Sequence, residues 1–139
     1  MIILDTNVIS ELVNPRCSPA VRSWLDAQID EAIFTTTISL SEVLLGVELL
    51  PQGKRRERLL QLLEEFFERM GKDHVLLFDE PSARAYALIM SRSRSHGRAI
   101  SIADGQIAAV AAVHGYAVAT RDTSPFEAAG VSMINPWEM

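Results

Sequence analysis

Residues 1–7 have the sequence MIILDTN, in which a short apolar run ends at Asp5. Four more apolar runs of similar length occur along the chain, at 32–36, 74–78, 116–120 and 131–134. The runs are continuous rather than alternating, which is typical of strands that are covered on both faces. The first seven residues therefore predict a buried strand with a carboxylate at its end.

Helical patterns separate these predicted strands. They cover 6–13, a segment that opens at Ser18-Pro19, and then 39–50, 54–70, 79–97 and 101–114. Strands that alternate with helices predict an α/β layer sandwich around a mostly parallel sheet. The chain contains no internal repeat, low-complexity tract or linker, so we expect one domain over residues 1–139.

Composition excludes several classes of protein. The chain is 48% hydrophobic and 22% charged, which is too apolar for a disordered protein. No apolar stretch approaches the ~18 residues of a membrane span, and the start shows no basic-then-apolar signal sequence. Cys17 is the only cysteine, which suits a reducing compartment. We therefore expect a cytoplasmic protein.

Four acidic residues lie at the ends of predicted strands or the starts of predicted helices. Asp5 and Asp122 follow apolar runs, whereas Glu42 and Asp104 fall in the first turns of helices. Ligands of open α/β sheets bind beyond the carboxyl ends of the strands, and the following helices begin at that same edge. The four side chains are therefore expected to converge.

Each acid also has a purely structural explanation. Glu42 and Asp104 complete capping boxes with Ser39 and Ser101, Asp5 caps the helix over 6–13, and Asp122 forms an Asx turn. The two explanations are compatible, because a carboxylate in a first turn can cap the helix and also coordinate a ligand.

The joint pattern favours a metal site over four unrelated caps. Clustered carboxylates repel one another unless a cation neutralises them, and hard oxygen ligands suit Mg²⁺ or Mn²⁺. Such an ion activates water for phosphodiester hydrolysis.

The formal net charge of -5 alone argues weakly against a nucleic-acid partner. Without the four acids, 14 acidic and 13 basic residues remain, so much of the negative charge is expected in one pocket.

The sequence around these acids resembles the PIN-domain nucleases in order and spacing. The matching segments are LDTNV at 4–8, SEVLLG at 41–46, IADGQIAA at 102–109 and ATRD at 119–122. Within that family the chain looks most like the VapC toxins, and among them the FitB-like branch. The closer likeness rests on FDEP at 78–81, HG at 96–97, TRDT at 120–123 and NPW at 135–137.

The resemblance implies a three-layer α/β/α sandwich with a five-stranded sheet and a metal-dependent endoribonuclease. It implies that Asp5, Asp104 and Asp122 bind Mg²⁺ or Mn²⁺, while Glu42 holds the metal or orients the attacking water. Thr120, Asn7 and Thr6 would then be polar supports. Further implications are an RNA substrate, a homodimer, a VapB/FitA-like antitoxin and an assembly with that antitoxin on operator DNA.

Two other surface features leave alternatives open. Arg94 and Arg98 belong to a basic cluster over 92–98, which is either a set of cations at a helix C-terminus or a contact for RNA phosphates. The apolar surface of the helix over 54–70 is wider than one core stripe needs, and surplus apolar surface often marks a partner site.

Other functions remain as alternatives to the nuclease. One is a binding module that dimerises and regulates transcription together with a DNA-binding antitoxin. Another is a small-molecule phosphatase of the haloacid-dehalogenase type, although Asn7 replaces the second aspartate of that motif. Cys17 and the three histidines show no spacing typical of a nucleophile or a zinc site.

Overall fold

A computed structural model describes residues 1–139 as five strands and seven α-helices. The strands are β1 (Ile2–Leu4), β2 (Ile33–Thr36), β3 (Val75–Leu76), β4 (Ala117–Ala119) and β5 (Met133–Ile134). The helices are α1 (Thr6–Leu12), α2 (Pro19–Asp26), α3 (Thr37–Glu48), α4 (Lys54–Met70), α5 (Glu80–Ser95), α6 (Ile102–His114) and α7 (Ser124–Ala129). Three short 3₁₀ turns lie at Asp30–Ala32, Lys72–His74 and Pro136–Glu138.

The five strands form one sheet with the order β3-β2-β1-β4-β5, and every pairing is parallel. From the central strand β1 the chain passes to β2 and β3, then crosses over to β4 and β5 on the other side. The strand order therefore reverses between β1 and β4. In open α/β sheets this reversal opens a crevice at the carboxyl ends of the strands, where ligands bind.

The two faces of the sheet are covered by different helices. Successive strand residues point to opposite faces, so neighbours along a strand enter different cores. Ile3, Phe34 and Val118 belong to a buried cluster with residues of α5, α6 and α7. Leu4, Ile33 and Ala119 belong to a second cluster with residues of α1, α2, α3 and α4. The prediction of a three-layer α/β/α sandwich with a five-stranded sheet is confirmed.

The predicted start of α3 at Ser39 is wrong by two residues. The helix begins at Thr37, and the side chain of Thr36 accepts a hydrogen bond from the backbone N–H of Ser39 at 3.1 Å. Thr36 ends β2 with an extended backbone and a free hydroxyl, so it caps the helix before Ser39 can do so. Glu42 consequently lies in the second turn of α3, not in its first.

The contact between α5 and α6 is unusually close at Gly105. A Cβ atom at this position would lie 2.6 Å from Sδ of Met90 and 3.0 Å from a ring carbon of Tyr86. Glycine lets the two helices approach, which fixes the first turn of α6 against its neighbour.

None of the helices has the length and apolar content needed to cross a membrane.

Candidate active site

Asp5 is the most buried of the four acids and lies where β1 ends and α1 begins. One carboxylate oxygen, Oδ1, accepts the backbone N–H of Thr6 at 2.8 Å, which confirms its predicted role as a helix cap. The other oxygen, Oδ2, accepts the hydroxyl of Thr120 at 2.8 Å and the side-chain amide of Asn7 at 3.4 Å. Only 5% of the residue is exposed, so these donors hold the carboxylate in one orientation.

Burial raises the pKa of Asp5 to about 6 from an ordinary value of 3.8. The hydrogen bonds from Thr120 and Thr6 oppose this shift because they stabilise the charged form. The charges of Asp104 and Glu42 add to the rise in pKa. Asp5 therefore lies within the electrostatic field of two acids that are distant in sequence.

Thr120 connects the ends of β1 and β4. Its fully buried hydroxyl donates to Asp5 and accepts the backbone N–H of Asp122 at 3.1 Å. The amide of Asn7 donates to the same hydroxyl at 3.3 Å, and its Oδ1 accepts the backbone N–H of Arg121 at 3.2 Å. The structure thus places the predicted supports Thr120 and Asn7 in direct contact with Asp5 and with the loop after β4.

Glu42 is tied to α1 by a hydrogen bond that spans 36 positions of sequence. The hydroxyl of Thr6 donates to Oε1 of Glu42 at 2.6 Å, and the same hydroxyl lies 3.1 Å from Oγ of Ser39. The capping box predicted for Ser39 and Glu42 is wrong, because Thr36 caps α3 and Glu42 lies beyond the first turn. The carboxylate is therefore free of a capping role.

Asp104 lies in the first turn of α6, and its backbone N–H donates to the capping hydroxyl of Ser101 at 3.2 Å. The predicted helix cap at Ser101 is confirmed. Burial raises the pKa of Asp104; a hydrogen bond from Ser101 opposes the rise, and the charges of Asp122 and Glu42 add to it. Asp104 is therefore electrostatically coupled to the other acids.

Asp122 is exposed, and its carboxylate accepts no hydrogen bond in the structure. The Asx turn considered for it is not formed, since no backbone N–H donates to its carboxylate. Its charge still acts on Asp104 across the crevice. Asp122 is thus the least constrained of the four side chains.

The four acids share one edge of the sheet and form no ion pair with any basic side chain. The ion pairs of the protein involve Glu48, Glu80 and Glu127 instead. No three histidine, cysteine or carboxylate side chains are arranged closely enough to surround a metal ion together. As a donor set, however, unpaired carboxylates whose charges raise one another's pKa fit Mg²⁺ or Mn²⁺, because a hard cation relieves that repulsion.

Arg94 and Arg98 do not contact the four acids. Arg94 is exposed in the last turn of α5, which leads into α6. Arg98 lies 4.0 Å from the carboxylate of Glu127 on α7, and neither arginine forms a hydrogen bond or ion pair with the four acids. Their contact with RNA stays a prediction.

Sequence reasoning missed two contacts of the site. The first is the bond between Thr6 and Glu42, for which the sequence carries no signal. The second is the position of Arg121, whose guanidinium carbon lies 5.1 Å from the ring centre of Trp137. This contact joins the loop after β4 to the segment after β5, so no local sequence pattern indicates it.

Comparison with known proteins agrees with this fold. The family model described as "PIN domain" matches residues 2–131. The chain is 47% identical over 138 residues to "VapC ribonuclease Y4jK" of Sinorhizobium fredii, and 46% identical over 137 residues to "Toxin FitB" of Neisseria gonorrhoeae. These alignments cover 99% of this chain and 99% of each relative.

The same relationship is seen among solved structures. The chain superimposes with a TM-score of 0.94 and 45% identity on a chain of the complex FitAB bound to a DNA fragment, covering 100% of this chain and 97% of that one. The chain therefore belongs to the PIN-domain family. Its full-length similarity to VapC and FitB toxins supports a nuclease, and the predicted family is confirmed.

Proposed function

We propose that this protein is a Mg²⁺- or Mn²⁺-dependent endoribonuclease of the toxin type, formed by one cytoplasmic domain over residues 1–139. One observation carries the proposal: a buried carboxylate at the reversal of strand order, coupled by charge to other acids and lacking a basic partner. RNA is the proposed substrate because the similar chain from Sinorhizobium fredii is named a VapC ribonuclease.

In this proposal Asp5, Asp104 and Asp122 hold the metal. Bound Mg²⁺ or Mn²⁺ supplies an activated water and offsets the charge that develops on the phosphate. Thr120 and Asn7 keep the carboxylate of Asp5 oriented through their hydrogen bonds. Glu42, which Thr6 holds by one oxygen, has its other oxygen available to orient the attacking water or to accept its proton.

A cleavage assay tests the proposal. The purified chain, freed of any partner, should cut single-stranded RNA with Mg²⁺ or Mn²⁺ and stop when a chelator is added. Asp104→Asn should abolish cleavage, whereas Asp73→Asn, which removes an exposed acid from a distant turn, should retain it. Unchanged cleavage by Asp104→Asn would exclude the acidic site, and hydrolysis of sugar phosphates without RNA cleavage would favour the phosphatase alternative.

We propose an antitoxin partner that binds the groove between α4 and the α1–α2 pair. Two adjoining cavities of about 680 and 460 Å³ lie along this groove. Their walls combine apolar and basic side chains, among them Leu59, Leu62, Phe66, Lys54, Arg55 and Arg58. The surplus apolar residues of α4 are only partly covered by the core, which leaves them available to a partner segment.

Co-expression with the protein encoded next to this gene tests the partner. A stable complex should form and suppress cleavage, and Leu62→Glu should weaken the complex while leaving the cleavage by the free chain intact. Suppression by a complex that is insensitive to Leu62→Glu would move the antitoxin to another surface.

We propose that the chain is a homodimer. Leu45 and Leu49 project from the same side of α3 and are 56% and 76% exposed, and Ile102 at the start of α6 is 67% exposed. Leu45 follows Glu42 by three residues and Ile102 precedes Asp104 by two, and these exposed apolar side chains would be covered in a dimer. Sedimentation analysis should show a dimer that Leu49→Arg dissociates.

A second candidate function is transcriptional autoregulation together with the antitoxin. The observation in its favour is the likeness to the FitAB chain, which was solved on a DNA fragment. A gel-shift assay with operator DNA separates the two functions. If the complex binds the operator and the free chain neither binds metal nor cuts RNA, regulation is the main role.

A further inference from the structure

We infer that Arg121 binds a phosphate of the RNA backbone beside the acidic crevice, a role that rests on the nuclease function proposed above. The residue lies in the loop after β4, between Thr120, which contacts Asp5, and Asp122. Its backbone N–H donates to Asn7. The main chain at this position is therefore fixed relative to the site.

The side chain of Arg121 keeps its positive charge unpaired although it adjoins an acidic cluster. It takes no part in the ion pairs of the protein, which use Arg56, Arg84 and Arg98. Its guanidinium instead lies over the ring of Trp137. A cation–π contact with the ring uses none of the guanidinium N–H donors in a hydrogen bond, and these groups form no side-chain hydrogen bond here.

The aromatic platform is itself held in place. The backbone N–H of Trp137 donates to the side chain of Asn135 at 2.9 Å, and the indole packs against the buried cluster on the α1–α4 face. Trp137 follows β5, which is paired in parallel with β4. The ring and the guanidinium therefore lie at the carboxyl edge of the sheet, where Asp5 and Asp122 also lie.

The ligand follows from the charges. Carboxylates at the crevice repel the phosphates of RNA, so a substrate that reaches them needs a nearby cation in addition to any metal. An arginine paired with Asp122 would contribute little net charge. Held by Trp137, it retains its charge and its planar set of donors, which suit the oxygens of a phosphate.

The experiment measures binding of a fluorescent single-stranded RNA of mixed sequence to the full-length chain, with chelator present to prevent cleavage. Arg121→Gln should raise Kd about tenfold, as expected for loss of one charge-assisted contact. It should also lower the slope of log Kd against log salt concentration by about 0.7, the effect of one lost phosphate contact on a single strand. With Mg²⁺ the same change should raise KM and leave kcat unaltered.

Arg84→Gln is the matched control because it removes one exposed arginine charge, which pairs with Glu80 on the same helix and not with the site. Arg84 lies near the start of α5, where Asp79 is close enough to His114, at the end of α6, for their charges to interact. Ten residue steps along α6 separate that end from Asp104 by roughly 15 Å. Arg84→Gln should therefore leave both Kd and the salt slope unchanged.

Arg121→Lys separates charge from stacking. It should keep the salt slope of the wild type and raise Kd about two- to fivefold, since lysine loses the planar stack and fork. If Arg121→Gln behaves like Arg84→Gln while the wild type cuts RNA, Arg121 binds no phosphate and the nuclease proposal stands. If the wild type neither binds nor cuts RNA, both proposals fall.

Discussion

The two halves of the acidic crevice differ in how firmly their carboxylates are held. On the β1–α3 side, Asp5 and Glu42 each accept a hydrogen bond from a threonine hydroxyl, at 2.8 and 2.6 Å. On the β4–α6 side, the carboxylate of Asp122 accepts none and is exposed. A fixed half, represented by Asp5 and Glu42, and an adaptable half, represented by Asp122, suit a site in which one side defines the geometry and the other adjusts to the ligand.

The largest expected effect distinguishes the fixed half from the adaptable half. Asp5→Asn should reduce RNA cleavage by more than about 100-fold, because it removes a proposed metal ligand and not merely a supporting group. Asp122→Asn should reduce it by only about tenfold, because an exposed and unconstrained carboxylate is easier to replace by water. Single-turnover cleavage at saturating Mg²⁺ measures both, and equal losses would contradict the division of the site.

The hydroxyl of Thr120 is expected to account for the next largest loss. Thr120→Val should weaken Mg²⁺ binding by about 10- to 100-fold, as is usual for a partner that orients a ligand. Thr120→Ser keeps the hydroxyl and should restore most of the affinity. Titration calorimetry with Mg²⁺ measures the binding, and a serine variant as weak as the valine variant would show that the methyl group matters instead.

The raised pKa of Asp5 makes the stability of the metal-free protein depend on pH. In the unfolded chain this carboxyl ionises at its ordinary pKa of 3.8, whereas in the folded protein its pKa is about 6. The folded state therefore holds the proton more tightly between these values. The contribution of Asp5 to the free energy of unfolding falls as the pH rises from about 4 through about 6, by about 3 kcal/mol.

Urea unfolding with chelator present measures this contribution. The unfolding free energy of Asp5→Asn should rise relative to that of the wild type over that pH range, and the difference should level off above it. Added Mg²⁺ should stabilise the wild type more than the variant at pH above about 6, because the metal neutralises the ionised carboxylate. A difference that is independent of pH would place the ionisation of Asp5 at its ordinary value.

The smallest expected effect concerns the tie between α1 and α3. Thr6→Val removes the hydrogen bond to Glu42 and should lower kcat by about tenfold. A loss of this size is expected when a carboxylate that orients the water or accepts its proton becomes mobile. Thr6→Ser should keep nearly full activity. Thermal unfolding should differ by little between the two variants, because the bond is exposed to solvent.

The sequence predicted those parts of the site that depend on local pattern. Asp5 and Asp122 are recognisable because apolar runs end next to them. The cap at Ser101 is recognisable because Ser101 and Asp104 are only three residues apart. The start of α3 is not predictable from local sequence because Thr36 and Ser39 are both residues that cap helices. The pairing of β2 with β3 extends to Thr36, and the helix begins directly after that residue. The bond from Thr6 to Glu42 and the stack of Arg121 on Trp137 join distant segments, so no local pattern encodes them.

The glycine at the contact between α5 and α6 has a consequence for how this protein can change over evolutionary time. A methyl group at position 105 would collide with Met90 and Tyr86, next in sequence to Asp104. Alanine at 105 therefore requires the side chains of Met90 and Tyr86 to shift or to be replaced by smaller ones. Position 105 should covary with positions 86 and 90, and an alignment of close relatives should show a residue larger than glycine at 105 mainly where 86 or 90 is smaller.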